Sequence, residues 1–208
     1  MNSKLRIATL LLAVAVSCVA VVYAQSPQPQ ASALPANAIP ARVVEDPSVQ
    51  VGWQRFEMGA APTLSLILPE APKITVESVQ GQLINTYVSS NASGVYAAVR
   101  IDGLSADLER GSEEMRSRYF RGFFQGFARG FQKGLGPAIK DTLELREVTQ
   151  LTTATGRSGY QQRLTLGTAE GLGQMVFVGK SAFGLVALWF PTAPPQDHVS
   201  FFGSFRLK

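Results

Sequence analysis

Residues 122–136 read GFFQGFARGFQKGLG, and in this stretch a glycine recurs at every fourth position. A large apolar residue follows each glycine. The repeat consists of the pairs Gly122–Phe123, Gly126–Phe127, Gly130–Phe131 and Gly134–Leu135. A spacing of four residues places these side chains on neighbouring turns of an α-helix, which has 3.6 residues per turn. The repeat therefore predicts an amphipathic helix, although glycine is a poor helix former.

The predicted helix begins near Ser105 and ends at the Leu-Gly-Pro sequence of residues 135–137, a typical helix stop. A break is compatible with the Gly-Ser sequence at residues 111–112. Acidic residues precede basic residues along the segment, as the helix dipole favours. One arc of roughly 160° collects the large apolar side chains. It contains Met115, Tyr119, Phe120, Phe123, Phe124, Phe127 and Phe131.

The repeat has two interpretations, which concern a candidate interaction stripe, here called the glycine–phenylalanine stripe. Its members are Gly122, Gly126, Gly130, Gly134, Phe123, Phe127 and Phe131. Four helical glycines cost about 4 kcal/mol relative to alanine, and burial of the phenylalanines on the apolar arc contributes roughly 7–15 kcal/mol. Either a sheet of the same domain packs against the stripe, with the glycines allowing close approach, or a second helix does so in a glycine zipper. Charged residues at 121, 129 and 133 argue against a membrane-spanning helix.

Residues 1–24 are predicted to be a signal peptide. A basic start precedes an apolar run at residues 7–24, and Val22 to Ala24 fits the small-residue rule for cleavage. Two alternatives remain open, namely an uncleaved membrane anchor formed by residues 7–24 and lipidation at Cys18. The predicted localisation is therefore periplasmic or secreted, with a membrane-anchored or lipidated protein as the alternative.

Residues 25–50 are rich in proline, alanine and glutamine, and this composition predicts a disordered linker. Residues 51–208 are then a single folded domain, long enough for a core of its own. Cys18 is the only cysteine, so the mature domain folds without disulfides and has no thiol catalysis, cysteine-ligated zinc or iron–sulfur cluster. The net charge is +4, and two of the basic residues lie in the predicted signal peptide. No block of lysine and arginine with interleaved aromatic residues is present, so nucleic acid is not a predicted partner.

Alternating or continuous apolar segments bounded by turn residues predict the strands. They lie at residues 53–58, 63–68, 83–89, 95–102, 142–152, 160–168, 172–178 and 183–190. Tight turns between them indicate antiparallel pairing, with residues 183–190 as a central strand. Residues 195–202 predict a short C-terminal helix, and residues 203–208 a tail or edge strand. The predicted fold class is α+β, an antiparallel sheet of about 6–8 strands packed by the long helix and the short one.

No cofactor, metal site or catalytic residue is predicted. His198 is the only histidine, and beside Asp197 it is more typical of a surface or capping residue than of a general base. Residues 173–181 have one residue too many for a P-loop and read as a strand. Trp53 and Trp189 fit either core packing or the wall of a ligand groove.

Three segments carry a resemblance to a known family. They are Trp53-x-x-Phe56 before a strand, the sequence LSLILPEAP at residues 64–72, and the closing FFGSF at residues 201–205. Together with the central hairpins and helix, this arrangement resembles the PsbP-like family of small secreted α+β domains, first known as extrinsic photosystem subunits. The resemblance spans residues 51–208 and implies an antiparallel sheet flanked by helices and a non-enzymatic role in the cell envelope.

The leading functional hypothesis is a non-catalytic secreted or periplasmic domain that binds a protein partner in the envelope. The alternative is a self-assembling or membrane-associating protein, a homo-oligomer in the simplest form, that acts through the glycine–phenylalanine stripe. A third hypothesis is an unrecognised hydrolase whose carboxylates come from distant segments. Contact with a membrane is otherwise expected only through an uncleaved or lipidated N-terminus.

Overall fold

The computed structural model describes residues 41–208 except residues 60, 105–106, 136–140 and 154–155, and describes residues 133–135 in their backbone only. The predicted signal peptide, both alternatives to it, and residues 25–40 of the predicted linker lie outside the described residues.

The described residues form eleven strands and two helices. The strands before the first helix are β1 (Ala41–Val44), β2 (Gln54–Met58), β3 (Leu64–Leu68), β4 (Lys73–Val79), β5 (Gln82–Asn91) and β6 (Gly94–Asp102). Helix α1 (Glu113–Leu135) leads to β7 (Leu143–Thr152), β8 (Ser158–Leu166), β9 (Ala169–Val178) and β10 (Ser181–Trp189). Helix α2 (Pro195–Gly203) and β11 (Arg206–Leu207) follow β10.

The strands form two antiparallel sheets, which confirms the predicted α+β class. The larger sheet has seven strands in the order β4-β5-β6-β10-β9-β8-β7, and the smaller has four in the order β1-β2-β3-β11. Helix α1 packs on one face of the larger sheet. The smaller sheet and α2 pack on the opposite face. The apolar run predicted as a central strand is β10, the middle strand of the seven.

The division into two sheets follows from strands that are apolar on both faces. In β6, Val95, Ala97 and Val99 belong to the core under α1, whereas Tyr96 and Ala98 belong to the core under the smaller sheet. A sheet with two apolar faces needs a layer on each side to exclude water. The sequence predicts one sheet only, because the alternation within a strand does not show which partner covers each face.

The phenylalanines of α1 form the centre of the helix-side core, and each is at most 6% exposed. One of these rings, that of Phe124, packs directly against a glycine of the sheet. A Cβ built on Gly173 of β9 would lie 2.1 Å from Cε1 of Phe124. A Cβ on Gly122 of the helix, by contrast, would meet open space. The predicted close approach therefore occurs at Phe124, but a glycine of the sheet permits it.

The predicted start of the long helix near Ser105 is wrong, because α1 begins at Glu113. The Ser112 hydroxyl accepts a hydrogen bond of 3.2 Å from the backbone N–H of Met115, as an N-cap residue does. The Gly-Ser sequence at residues 111–112 thus directly precedes the helix and supplies its N-cap. The predicted end at Leu135 agrees with the structure.

Ordered structure begins at least ten residues before the predicted domain boundary at Val51. β1 lies within the predicted linker and pairs with β2, with Ala41 opposite Met58. After β1, Asp46 accepts a hydrogen bond of 2.5 Å from Nε of Arg55. Backbone pairing with β2 and this ion pair order residues 41–46, which bury little apolar surface. The amino-acid composition of the segment therefore does not show that it is ordered.

β4, like β1, is a strand that the sequence analysis did not identify. It is joined to β5 by a two-residue turn in which Gln80 and Gly81 both have positive φ, 51° and 79°. Positive φ at both turn residues is the type I′ geometry. Glycine, which adopts positive φ readily, occupies only the second of the two positions here. The predicted C-terminal helix is confirmed as α2. The predicted tail is an edge strand, since β11 pairs with β3.

Candidate binding surfaces

The structure places the phenylalanines of the glycine–phenylalanine stripe inside the molecule. Phe123, Phe127 and Phe131 are 3%, 6% and 2% exposed and belong to the core between α1 and the larger sheet. The apolar surface of these phenylalanines is therefore buried within one chain, as expected if a sheet of the same domain packs against the stripe.

The glycines of the stripe do not share one environment. Gly122 is exposed, whereas Gly126 and Gly130 are buried. Gly134 is helical, and its surroundings are outside the described part of the structure. A continuous glycine surface open to a second helix is therefore not present at residues 122–130, so self-assembly through the stripe gains no support from these residues.

Trp53 belongs to the core under the smaller sheet, and Trp189 packs against that core. His198 stacks on Trp189 with ring centroids 4.1 Å apart and planes inclined by 9°. Trp53 lies edge-on to Tyr96 at 5.1 Å. The Asp197 carboxylate is 6% exposed and accepts a hydrogen bond of 3.2 Å from the Gln50 amide. Both tryptophans thus serve mainly in packing.

A second polar cluster lies between the two sheets, around Arg100. Its guanidinium donates to the Asp102 carboxylate at 2.6 Å and to the Pro62 carbonyl at 2.9 Å. Gly59, at φ +91°, lies so close that a Cβ there would be 2.6 Å from Nη1 of Arg100. The charge is compensated, and the guanidinium connects the larger sheet to the segment that leads into β3. This is a structural tie between the layers.

Two side chains near Arg100 lack a partner among the described residues. Asn85 is opposite Arg100 on β5, and neither polar atom of its buried amide is hydrogen-bonded. The Tyr87 hydroxyl is likewise buried without a partner, and burial raises the pKa of the Tyr87 phenol to about 12. Both residues are 0% exposed, whereas the Asp102 side chain of the same cluster keeps 26% of its surface exposed.

The smaller sheet covers only part of the face on which it packs. The core beneath it draws on β5, β6, β9 and β10, and none of its described members comes from β7 or β8. Six residues line a depression of about 310 Å³ on the remaining part, here called the uncovered face. They are Arg146, Glu147, Thr149, Gln161, Arg163 and Leu172.

A β-bulge shapes the uncovered face. The register between β7 and β8 shifts between Leu145 and Val148, so Arg146 and Glu147 share one position opposite β8. The Gln162 amide donates a short hydrogen bond to the Arg146 carbonyl, which satisfies a backbone group that the bulge frees. Two consecutive charged side chains therefore line the same depression.

The charges on the uncovered face are not all compensated within the chain. Arg146 pairs with Glu144 at 2.9 Å, and both side chains are 59% exposed. Arg163 is exposed and forms no ion pair with any described residue. Leu172 adds a half-buried apolar contact beside these charges. An unpaired guanidinium next to an apolar side chain can receive a carboxylate and an apolar group of a partner.

The sequence analysis did not single out this face. Its signal is the polar half of the alternation in β7 and β8, where Thr149, Gln161 and Arg163 lie on the side opposite Leu143 and Leu164. Such a pattern is typical of any strand with one solvated face. It becomes informative only when the topology shows that the neighbouring part of that face is covered.

Two further findings concern the described residues. They contain no group of three or more histidine, cysteine, aspartate or glutamate side chains placed to hold a metal ion. Neither α1 nor α2 is both long and apolar enough to cross a membrane.

The fold and the surfaces define an α+β protein of two packed antiparallel sheets. No protein-family model and no curated protein sequence matches the chain. A similar solved structure is that of a protein from Bacteroides thetaiotaomicron VPI-5482, with 7% sequence identity and a TM-score of 0.30. The match covers 70% of this chain and 45% of that one, so the chain spans less than half the length of the matched protein. A likeness at this level carries no functional conclusion.

Proposed function

We propose that the protein is a non-catalytic secreted or periplasmic domain that binds a protein partner in the cell envelope, and that the uncovered face is the surface it uses. The observation that carries the proposal is the exposed Arg163 beside Leu172, in a depression that the smaller sheet leaves open. The apolar N-terminal run at residues 7–24 supports export.

The composition of the uncovered face favours a protein partner. Arginine is enriched at interfaces because its planar guanidinium forms paired hydrogen bonds with carboxylates and also packs on apolar surface. The side-chain amide of Gln174 donates to the side-chain oxygen Oε1 of Gln161 at 3.3 Å, which fixes the orientation of a further polar group on the surface. Bulges recur at positions where a strand presents side chains for function.

Photo-crosslinking in the cells that produce the protein tests the proposal. A photoreactive amino acid replaces Thr149 on the uncovered face or, as a control, Gln125 on the exposed side of α1; both positions are solvent-exposed. We expect a discrete protein adduct from position 149 in the envelope fraction, and none from position 125.

Charge reversal gives the matched control. Arg163→Glu should abolish the adduct, whereas Arg121→Glu, at an exposed arginine of α1, should leave it unchanged. Equal adducts from both positions, or an adduct that survives Arg163→Glu, would contradict the proposed surface. Recovery of the protein in the cytoplasm would contradict the proposed location.

A further inference from the structure

The outer edge of β4 differs from the opposite edge of the seven-stranded sheet. β4 pairs with β5 in an unbroken register from Lys73 to Val79, and no strand of the described chain pairs with its other side. β7, at the opposite edge, carries the bulge and the charges around Arg146, which hinder the addition of a strand. β4 is regular and has no proline within its range.

The direction of the free backbone groups follows from the turn after β4. A two-residue type I′ turn is closed by a hydrogen-bonded pair, here Val79 and Gln82. Hydrogen-bonded and non-hydrogen-bonded pairs alternate along an antiparallel ladder. Ile74, Val76 and Ser78 therefore direct their N–H and C=O groups away from β5, where another strand can reach them.

The side chains of β4 complement those of an identical strand. Residues 73–77 read KITVE. When two copies run antiparallel with Thr75 opposite Thr75, Lys73 of each lies opposite Glu77 of the other, and Ile74 lies opposite Val76. This register pairs outward-directed backbone groups with each other, and it places opposite charges at Cβ distances of about 5 Å.

Glu77 provides a second and independent observation. Its Oε2 atom is buried and has no hydrogen-bond partner among the described residues, and burial raises the pKa of this carboxyl group. Lys73 is exposed and forms no ion pair with a described residue. Four residues of strand separate the two side chains by roughly 13 Å, so they cannot pair within one chain. Between two chains they can pair through Oε1 of Glu77, which is not among the buried atoms without a partner.

We propose that β4 pairs with β4 of a second copy in this register, so that the seven-stranded sheets of two molecules join into one continuous sheet. The two-fold axis passes perpendicular to the sheet at Thr75. A shift that places Val76 opposite Val76 also preserves the backbone pairing. It leaves Lys73 only diagonal to Glu77, so the charges favour the first register.

A pairing through one short edge gives a weak dimer. Such a contact is smaller than a standard protein interface, and we expect a dissociation constant on the order of 10–100 μM. This dimer does not depend on the proposed partner. The two are tested at different residues, so failure of either leaves the other standing.

A charge-reversal cycle tests the pairing. The protein purified after export from the full-length gene is examined by sedimentation equilibrium, with circular dichroism as the control for folding. Lys73→Glu and Glu77→Lys each place like charges opposite one another and should weaken the dimer roughly tenfold or more. The double variant Lys73→Glu/Glu77→Lys restores opposite charges and should recover the wild-type dissociation constant within about twofold.

Cysteine crosslinking tests the register on the intact protein under mild oxidation. Thr75→Cys should give a covalent dimer, because two residues opposite each other in an antiparallel pair are close enough for a disulfide. Ser78→Cys, whose counterpart in this register is Pro72, should not do so. Cys18 lies in the predicted signal peptide and has the same fate in both variants, which makes them matched controls for each other.

Either experiment, sedimentation or crosslinking, can overturn the proposed pairing. A wild-type protein that is monomeric at about 500 μM, well above the expected dissociation constant, excludes the dimer. A dimer that neither charge reversal weakens, or that crosslinks through Val76→Cys rather than Thr75→Cys, excludes this pairing. A dimer that the double variant does not recover, with folding intact by circular dichroism, excludes the pairing of Lys73 with Glu77.

Discussion

Replacing Gly173 with alanine should destabilise the protein through one contact, the seat of Phe124 on β9. A Cβ at residue 173 would lie 2.1 Å and 2.3 Å from two ring carbons of Phe124, more than 1 Å closer than ordinary contact. Phe124 cannot move aside, because it is 0% exposed and its ring lies 4.6 Å from Phe120 and 5.2 Å from Phe123. Overpacking of this kind costs about 1–3 kcal/mol or more.

The net effect combines this strain with the intrinsic gain of replacing a strand glycine, about 0.5–1 kcal/mol. We therefore expect Gly173→Ala to lower the free energy of unfolding by about 2 kcal/mol, measured by urea denaturation. Gly184→Ala on the neighbouring strand is the matched control. Its Cβ would make only ordinary contacts, the nearest at 3.6 Å from Cε of Met175, so it should be neutral or slightly stabilising.

A double-mutant cycle separates the contact from general effects of the substitution. Phe124→Leu removes the ring atoms that a Cβ at residue 173 would meet. In this background Gly173→Ala should cost less than about 0.5 kcal/mol, which gives a coupling energy of roughly 1.5 kcal/mol or more. If Gly173→Ala has the same effect in both backgrounds, or the same effect as Gly184→Ala, the assigned role of Gly173 is refuted.

Three further predictions concern single positions. Gly122→Ala should raise the free energy of unfolding by about 1 kcal/mol, because the position is exposed and helical with open space around it; a loss of stability in urea denaturation would show that something packs there. Tyr87→Phe should raise it by about 1 kcal/mol by removing a buried hydroxyl without a partner, and should remove a phenol that titrates near pH 12 in absorbance spectra. Hydrogen bonds from Ser48 and Arg55 lower the pKa of Asp46 to about 2. The ionised Asp46 therefore stabilises the fold fully above about pH 4, and this stabilisation is lost as the pH falls toward 2. The difference in stability between the wild type and Asp46→Asn, measured by thermal unfolding, should disappear between about pH 4 and 2 and persist at higher pH.

The parts of the fold that the sequence predicts are those whose pattern is repeated within one element. The recurrence of phenylalanine at helical spacing identifies the buried face of α1, and the apolar run at residues 183–190 identifies β10 as central. Both patterns reflect burial, which is the same physical cause in sequence and structure. The predicted end of α1 at Leu135 also agrees, because Gly-Pro after it cannot continue a helix.

The parts that the sequence does not predict depend on partners far along the chain. β1 is held by β2 and by the Asp46–Arg55 ion pair, although its own composition is that of a linker. The predicted role of the helix glycines also differs at Gly122, because the glycine that permits close packing lies on β9. A contact between a ring and a distant glycine involves one residue on the helix and one on the sheet. Only the helix residue belongs to a sequence repeat that can be recognised. The resemblance to PsbP-like domains and the periplasmic location stay predictions.

The two surfaces proposed for binding lie at opposite ends of the larger sheet. Five strand-to-strand intervals separate β4 from β8 in the order β4-β5-β6-β10-β9-β8, which corresponds to roughly 24 Å. α1 covers one face, and the smaller sheet covers the other near β5, β6 and β10. A partner on the uncovered face and a second copy on the edge of β4 therefore do not compete for space. If both proposals hold, each dimer presents two partner sites, and pairing through β4 raises the avidity for a multivalent partner without changing either site.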